Sequence, residues 1–222
     1  DNLTVPYEID MDCNWLQVQE QPMDPFHSVF LHTRMTGPQF YESWGAYSQT
    51  EFRKLPDNTG LFVTNSRRWE EFVWVRLNEL FVPNFSQPAD IYQNPDREKF
   101  FPRAAITTWT VPVDDTHCKI VAWRHYNDEL DAGGRGDPKK CGHNTIDYMG
   151  QTKYERTYEE GQRYPGDYEA LVAQGPIAKR KLEHLGHTDT GVAMLRQLIS
   201  RSISDVKKGK NPPRMKCHED GL

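Results

Sequence analysis

Two alternating runs of residues, joined by a short acidic segment, most restrict what this chain can fold into. The segments AITTWTVPV (105–113) and CKIVAWRHY (118–126) are rich in β-branched and aromatic side chains, as strands are. DDTH (114–117) lies between them, and aspartate is a common turn residue. The pattern predicts a β-hairpin. Pro112 predicts an edge position or a bulge for its strand, because proline cannot donate to a central ladder.

Helical patterns flank this strand-rich region, which extends from about Gly60 to Tyr126 and includes the alternating EFVWVRL (71–77). A first helix is predicted from Met23 to Thr33, with Asp24 as its N-cap and Pro25 at its first position. A second is predicted after Pro165-Gly166, through DYEALVAQ (167–174). A third begins near Thr188 and ends at Gly209, with an apolar face of Val192, Leu195, Ile199, Ile203 and Val206. The arrangement predicts an antiparallel α+β domain.

Length, charge and cysteine content exclude several classes of protein. The 222 residues suit one large domain, although two small ones would also fit. A net charge of −5 argues against nucleic-acid binding, and no apolar run is long enough for a membrane span. Four scattered cysteines, namely Cys13, Cys118, Cys141 and Cys217, argue against a disulfide framework and favour a cytoplasmic protein. The Gly- and charge-rich segment 131–144 predicts a mobile surface loop.

The segment MDPFHSVFLH (23–32) holds an acid and two histidines in the pattern D-x-x-H-x-x-x-x-H. Two imidazoles and one carboxylate can form the facial triad of non-haem Fe(II) oxygenases. On a regular helix, His27 and His32 would point about 140° apart. A metal site therefore requires a π-type widening or a helix end between them, whereas two hydrogen-bonded core histidines would not.

Four separate segments resemble the catalytic domain of Rieske non-haem iron oxygenases, in the branch of phthalate dioxygenase and the aryl-ether O-demethylases. They occur in the family's order and cover most of the chain from Cys13 to about Ile203. They are CNWLQVQEQPMDPFHSVFLH (13–32), WTVPVDDT (109–116), PGDYEALVAQGPIA (165–178) and EHLGHTDTGVAMLRQLI (183–199). The resemblance implies a curved antiparallel sheet flanked by helices, of the helix-grip, START-like kind.

The resemblance also implies roles for particular residues. His27 and His32 match the two histidine ligands of a mononuclear Fe(II), and Asp167 matches the carboxylate ligand. Glu169 is a rival for that third position, and Asp167 could instead be a helix N-cap. Asp24 matches a catalytic acid that is not a ligand, but links the first iron-binding histidine to a cluster-bound histidine of a neighbouring subunit. A carboxylate on the free N–H of a metal-bound imidazole would fix its tautomer.

The family's Rieske domain has no counterpart here, since its [2Fe-2S] cluster needs C-x-H followed by C-x-x-H. Cys141 and His143 form a C-x-H and are expected to be loop residues, and the next cysteine, Cys217, has the wrong spacing. The 222 residues are thus expected to be one catalytic domain, with the Rieske domain upstream of Asp1. The implied partners are an aromatic substrate, dioxygen, that Rieske domain and an NAD(P)H-dependent reductase, in a homotrimer. No nucleic acid or membrane is implied.

Substrate identity and two other functions stay open at this point. A substrate carboxylate would favour an arginine, and Arg53, Arg67, Arg68 and Arg76 lie in the middle of the chain, each expected to be a solvated surface residue. One alternative function is a metal-free START-like module that binds a hydrophobic ligand. Another is a 2-oxoglutarate-dependent dioxygenase, although that class usually places its ligands on jelly-roll strands.

Overall fold

A computed structural model describes residues 2–34, 37–89, 104–131 and 134–213 of the chain. Its described strands form one antiparallel sheet in the order β1-β7-β6-β5-β4-β3-β2. They are β1 (Leu3–Met11), β2 (Gln49–Lys54), β3 (Gly60–Trp69), β4 (Phe72–Phe81), β5 (Phe85–Pro88), β6 (Ile106–Pro112) and β7 (Cys118–Tyr126). The sheet and its covering helices confirm the predicted α+β class.

Five α-helices accompany the sheet in the described residues, and local signals explain their ends. They are α1 (Trp15–Glu20), α2 (His27–Phe30), α3 (Tyr158–Arg163), α4 (Asp167–Val172) and α5 (Thr190–Lys207). Asn14 caps α1, its side chain accepting from Leu16 N at 3.0 Å. Gly209, with a φ of 72°, follows the end of α5, as predicted. No described helix is long and apolar enough to cross a membrane.

The predicted hairpin is confirmed, but the position expected for Pro112 is wrong. Strands β6 and β7 pair antiparallel from Ile106↔Arg124 to Pro112↔Cys118. Strand β6 is not an edge strand, because β5 pairs with its other side. Proline is tolerated because the β5 pairing involves only Trp109 and Thr108, so Pro112 lies beyond it.

Strand β1 was not predicted, and it changes the interpretation of the loop at 131–144. It pairs along its whole length with β7 and forms one edge of the sheet, where Pro6 is tolerated. Its free side bonds to that loop, through Glu8 N to Gly142 O at 3.0 Å and Asn144 N to Glu8 O at 2.7 Å. The described second half of the predicted mobile loop is therefore tied to β1.

Two helix predictions need correction. The helix predicted from Met23 to Thr33 is reduced to the single turn of α2, which ends at Phe30. In α5, the predicted face is buried at Val192, Leu195 and Ile199, where it packs on β3 and β4. Ile203 and Val206 are exposed, because the helix continues past the part that packs on the sheet.

Candidate metal centre

Asp24 and His27 lie at the start of α2, where the backbone fixes both. The Asp24 Oδ1 accepts hydrogen bonds from Phe26 N at 2.9 Å and His27 N at 3.2 Å. These N–H groups have no partner within so short a helix, so the carboxylate acts as a cap. The main-chain carbonyl of Asp24 also bonds to the His27 Nδ1. The expected contact between carboxylate and imidazole is thus made by the carbonyl instead, because the carboxylate is occupied at the helix start.

The end of α2 provides the irregularity that the spacing of the histidines required. The helix stops at Phe30, so His32 lies beyond it in a turn. The two imidazole rings consequently meet edge to face, with centroids 5.5 Å apart. On an uninterrupted helix they would have pointed about 140° apart.

Asp167, the first residue of α4, completes the group. Its Oδ1 is 3.3 Å from the His32 Nε2 and 3.8 Å from the His27 Nε2. One ligand atom from each of the three residues can be chosen so that all lie within 4.8 Å of one another. Glu169, the rival for the third ligand position, makes other contacts. Its carboxylate pairs with Arg156 and accepts a hydrogen bond from Gly166 N at 2.9 Å.

Hydrogen bonds at the far side of each ring define which nitrogen faces the group. The His32 Nδ1 lies 2.9 Å from the Gln39 Oε1, and the His27 Nδ1 contacts the Asp24 carbonyl. Both oxygens can only accept, so each Nδ1 carries the proton and each Nε2 presents a lone pair. This is the arrangement typical of metal-binding histidines.

The charges at the group suit a divalent cation. Burial lowers the pKa of His27, with His32 adding to the decrease and Asp167 opposing it, which favours a neutral imidazole. Burial alone would raise the pKa of Asp167, but His32 and His27 outweigh it when they are protonated and lower the pKa to about 2, so the carboxyl group is ionised above that pH. The Asp167 Oδ1 is buried without a hydrogen-bond partner. An ionised oxygen so placed fits a metal ligand, because a cation would compensate its lost hydration.

A cavity of about 150 Å³ lies between this group and the sheet. His27, His32 and Asp167 form part of its wall. Strand residues form another part, and four aromatic rings contribute apolar surface. The aromatic residues are Tyr7, Phe40, Trp44 and Tyr148, and the polar strand residues are Arg76, Asn78, Ser86, Thr108 and Thr110.

Of the four candidate arginines, the structure places only Arg76 among the described residues of the cavity wall. Its Nη2 donates to the Ala89 carbonyl at 3.2 Å, and its Cζ lies 4.3 Å from the centre of the Trp44 ring. Arg67 is buried beside Ser28, to which its Nη2 donates at 2.7 Å. The expectation of solvated side chains is wrong for these two, since both point to the covered face of the sheet. Arg53 and Arg68 are exposed as expected.

The C-x-H at 141–143 lies in the loop beside β1. The His143 Nδ1 is 2.6 Å from the Glu8 Oε1, and the Cys141 Sγ is 3.0 Å from the Tyr126 hydroxyl. Cys13, Cys118 and Cys141 are free thiols, as expected, and Cys217 lies outside the described residues. Gln39, which orients His32, was not predicted, because no local pattern marks a residue seven positions beyond the histidine as its partner.

Known proteins similar to this chain include two oxygenase subunits, matched in sequence, and a crystal structure, matched in fold. The chain is 42% identical over 221 residues to the tert-butanol monooxygenase / tert-amyl alcohol desaturase oxygenase subunit of Aquincola tertiaricarbonis, covering 94% of this chain and 46% of that protein. It is 30% identical over 209 residues to the phenoxybenzoate dioxygenase subunit alpha of Ectopseudomonas oleovorans, covering 94% and 45%. No protein-family model matches. The chain thus spans about half the length of these relatives.

The fold is similar to that of dicamba monooxygenase in its crystal structure with 3,6-dichlorosalicylic acid. The TM-score is 0.52 at 11% sequence identity, and the match covers 94% of this chain and 61% of that one. At this identity the likeness concerns the fold alone.

Proposed function

We propose that residues 1–222 form the mononuclear iron domain of a Rieske-type oxygenase. The chain is homologous to the oxygenase subunits of such systems. The domain would use dioxygen and external electrons to hydroxylate or O-demethylate an organic substrate, with aromatic compounds as the expected class. The homology supports an oxygenase over a metal-free module that only holds a hydrophobic ligand. The single antiparallel sheet also differs from the jelly roll of 2-oxoglutarate-dependent enzymes.

The proposed iron ligands are His27, His32 and Asp167. The observation that carries this assignment is the buried Asp167 Oδ1, which has no hydrogen-bond partner and faces two imidazole Nε2 atoms at 3.3 and 3.8 Å. Two imidazoles with one carboxylate leave coordination positions open, as the facial triad requires. When bound, Fe(II) would supply the reductive activation of dioxygen.

The residues around these ligands would position them and shape the reaction space. The Gln39 side chain and the Asp24 carbonyl hold the two Nδ1 protons, so that each Nε2 keeps its lone pair towards the cavity. The aromatic rings of Phe40 and Trp44 pack beside His32 and restrict its ring. The cavity wall they help to form would exclude bulk water from the substrate.

Electrons would come from outside this domain. We propose a Rieske [2Fe-2S] domain and an NAD(P)H-dependent reductase as donors, and a homotrimer that brings a neighbour's cluster to Asp24. The relatives, about twice as long as this chain, have room for such a domain. Asp24 lies beside His27 on a second cavity, one that also contains Glu20 and Arg196. A carboxylate there could bridge to an imidazole N–H of a donor.

Iron reconstitution tests the ligand assignment. The chain is loaded anaerobically with Fe(II), desalted and analysed for metal, in parallel with His27→Ala and the control His143→Ala. His143 is an exposed histidine bonded to Glu8, so its loss removes an imidazole without touching the proposed site. We expect one iron per chain in the unmodified protein and in the control, and little in His27→Ala. Equal iron in all three proteins would overturn the assignment.

A further inference from the structure

Three hydroxyl groups form a cluster on the cavity wall, on two neighbouring strands of the sheet. Ser86 on β5 pairs directly with Thr108 on β6, and Thr110 lies two residues further along β6 on the same face. Directly paired side chains in an antiparallel sheet have Cβ atoms about 4.5–5.5 Å apart. The three hydroxyls therefore occupy an area comparable to one small molecule.

The hydroxyls of this cluster have unused hydrogen-bonding capacity. Ser86 and Thr110 are each only 3% exposed. Within the described part of the chain, none of the three side chains makes a hydrogen bond, whereas Thr107 on the other face of β6 bonds to His125 at 2.9 Å. A hydroxyl can both donate and accept, so one that lines a cavity without a protein partner is available to a ligand. A cluster of them on a cavity wall points to a polar group of a ligand.

The cavity also limits the size of that ligand. Its volume of about 150 Å³ equals that of an engineered protein cavity that holds benzene. A molecule with a single ring, or a small branched alkyl group, would fill it. Two linked rings would extend beyond this volume.

From these observations we propose that the cavity binds a small, uncharged, hydroxyl-bearing substrate, namely a phenol or a compact alcohol. Its hydroxyl would bond to Ser86, Thr108 and Thr110, and its apolar part would face the aromatic wall near His27, His32 and Asp167. That this ligand is a substrate rests on the proposed function, whereas its binding requires no iron.

The other polar groups of the cavity are less suited to a charged substrate. The Arg76 guanidinium lies over the Trp44 ring and already donates to the Ala89 carbonyl. In the metal-free chain, the Asp167 carboxylate in the same cavity would repel a second anion. A hydroxyl, in contrast, can both donate to and accept from the cluster, whereas a carboxylate can only accept.

Ligand binding to the metal-free 222-residue chain tests the proposal. Dissociation constants for phenol, toluene, benzoate and 4-phenylphenol are measured by titration NMR in the unmodified protein. The variants are Ser86→Ala and Thr110→Val, with Thr107→Val as a matched control on the opposite face. Thermal melting shows that each variant is folded before its binding is measured.

We expect Ser86→Ala and Thr110→Val to weaken phenol binding by about three- to tenfold, the loss of one hydrogen bond, without weakening toluene binding. Thr107→Val should leave the phenol constant unchanged, and 4-phenylphenol should bind more weakly than phenol. Benzoate binding tighter than phenol, or equal phenol constants in all variants, would overturn the proposal. Iron content is measured separately, so a failed ligand test leaves the metal assignment intact, and the reverse also holds.

Discussion

Replacing Gly166 with alanine tests whether a close backbone contact fixes the third proposed ligand. Gly166 immediately precedes Asp167, and its φ and ψ of −132° and −165° are accessible to alanine. A Cβ at this position would lie 2.2 Å from the carbonyl oxygen of Gly150 and 2.4 Å from its Cα. Steric overlap with the Gly150 backbone, rather than backbone strain, is therefore the perturbation.

The size of the effect follows from these distances. To move from 2.2 Å to the 3.4 Å of ordinary contact, the two segments must separate by about 1.2 Å. Overpacking of this kind typically costs about 1–3 kcal/mol, which lowers the Tm of a chain of this length by roughly 2–12 °C. Metal–ligand distances vary by only about 0.2 Å between sites. Because Asp167 would move with the helix by more than this, the Fe(II) affinity should fall by at least about tenfold.

Calorimetry provides the assay, and Gly186→Ala is the matched control. Gly186 also precedes a short helix in extended conformation, but its added Cβ would meet nothing closer than 3.7 Å. Thermal scans of the metal-free proteins and anaerobic Fe(II) titrations are compared for the two variants. Equal Tm and equal affinity in both variants would refute the reasoning. A lower Tm with unchanged affinity would show that the Gly150–Gly166 contact stabilises the fold without positioning Asp167.

Three further predictions concern single side chains. Asp24→Asn keeps the acceptor that caps the helix, so the iron content and the Tm should be unchanged. NADH-coupled turnover of the full-length protein should fall about 10–100-fold. Normal turnover would show that Asp24 is only a helix cap. Burial lowers the pKa of Arg67 to about 10, and its Nε and Nη1 are buried without hydrogen-bond partners among the described residues, so its contacts with Trp44, Trp74 and Ser28 leave part of the desolvation cost uncompensated. In urea unfolding, Arg67→Met should therefore raise the free energy of unfolding by about 0–2 kcal/mol, and Arg68→Met at the exposed neighbour should leave it unchanged. A clear decrease for Arg67→Met would contradict this. The Thr116 amide and His117 lower the pKa of Asp114 to about 2, so its stabilisation is complete above pH 4 and is lost as the pH falls through 2. The Tm difference between the protein and Asp114→Asn should narrow over that range, and a constant difference would count against it.

The strands of the sheet could be predicted from the sequence more reliably than the faces they present. EFVWVRL alternates as a strand should, and it forms most of β4. Its aliphatic residues Val73 and Val75 nevertheless point to solvent, whereas Arg76 points into the cavity. An alternating pattern defines two faces, but only the rest of the fold decides which one is covered. For this reason the sequence could not identify Arg76 as the arginine of the cavity.

The same limit on prediction from sequence applies to the candidate site. The spacing of His27 and His32 required an interruption of the helix, and the structure contains one at Phe30. The choice between Asp167 and Glu169 could not be made from spacing, because both lie in the first turn of one helix. It depends on Arg156, a residue from another segment that binds the Glu169 carboxylate. Contacts between segments distant in sequence leave no local signal.

The same kind of contact holds the helix that carries Asp167 beside the two histidines. Gln17 on α1 is almost fully buried, and its side-chain nitrogen donates to the carbonyls of Leu171 and Gly175, each at 3.1 Å. Its side-chain oxygen accepts from Ala178 N at 2.9 Å. One amide therefore joins α1, which leads into the histidine segment, to the C-terminal end of α4, while the Gly150–Gly166 contact fixes its N-terminal end. With both ends of α4 held, Asp167 cannot move away from the imidazoles by a local rotation of its helix. A site preorganised in this way loses less conformational freedom when a metal binds, which favours affinity at a given ligand set.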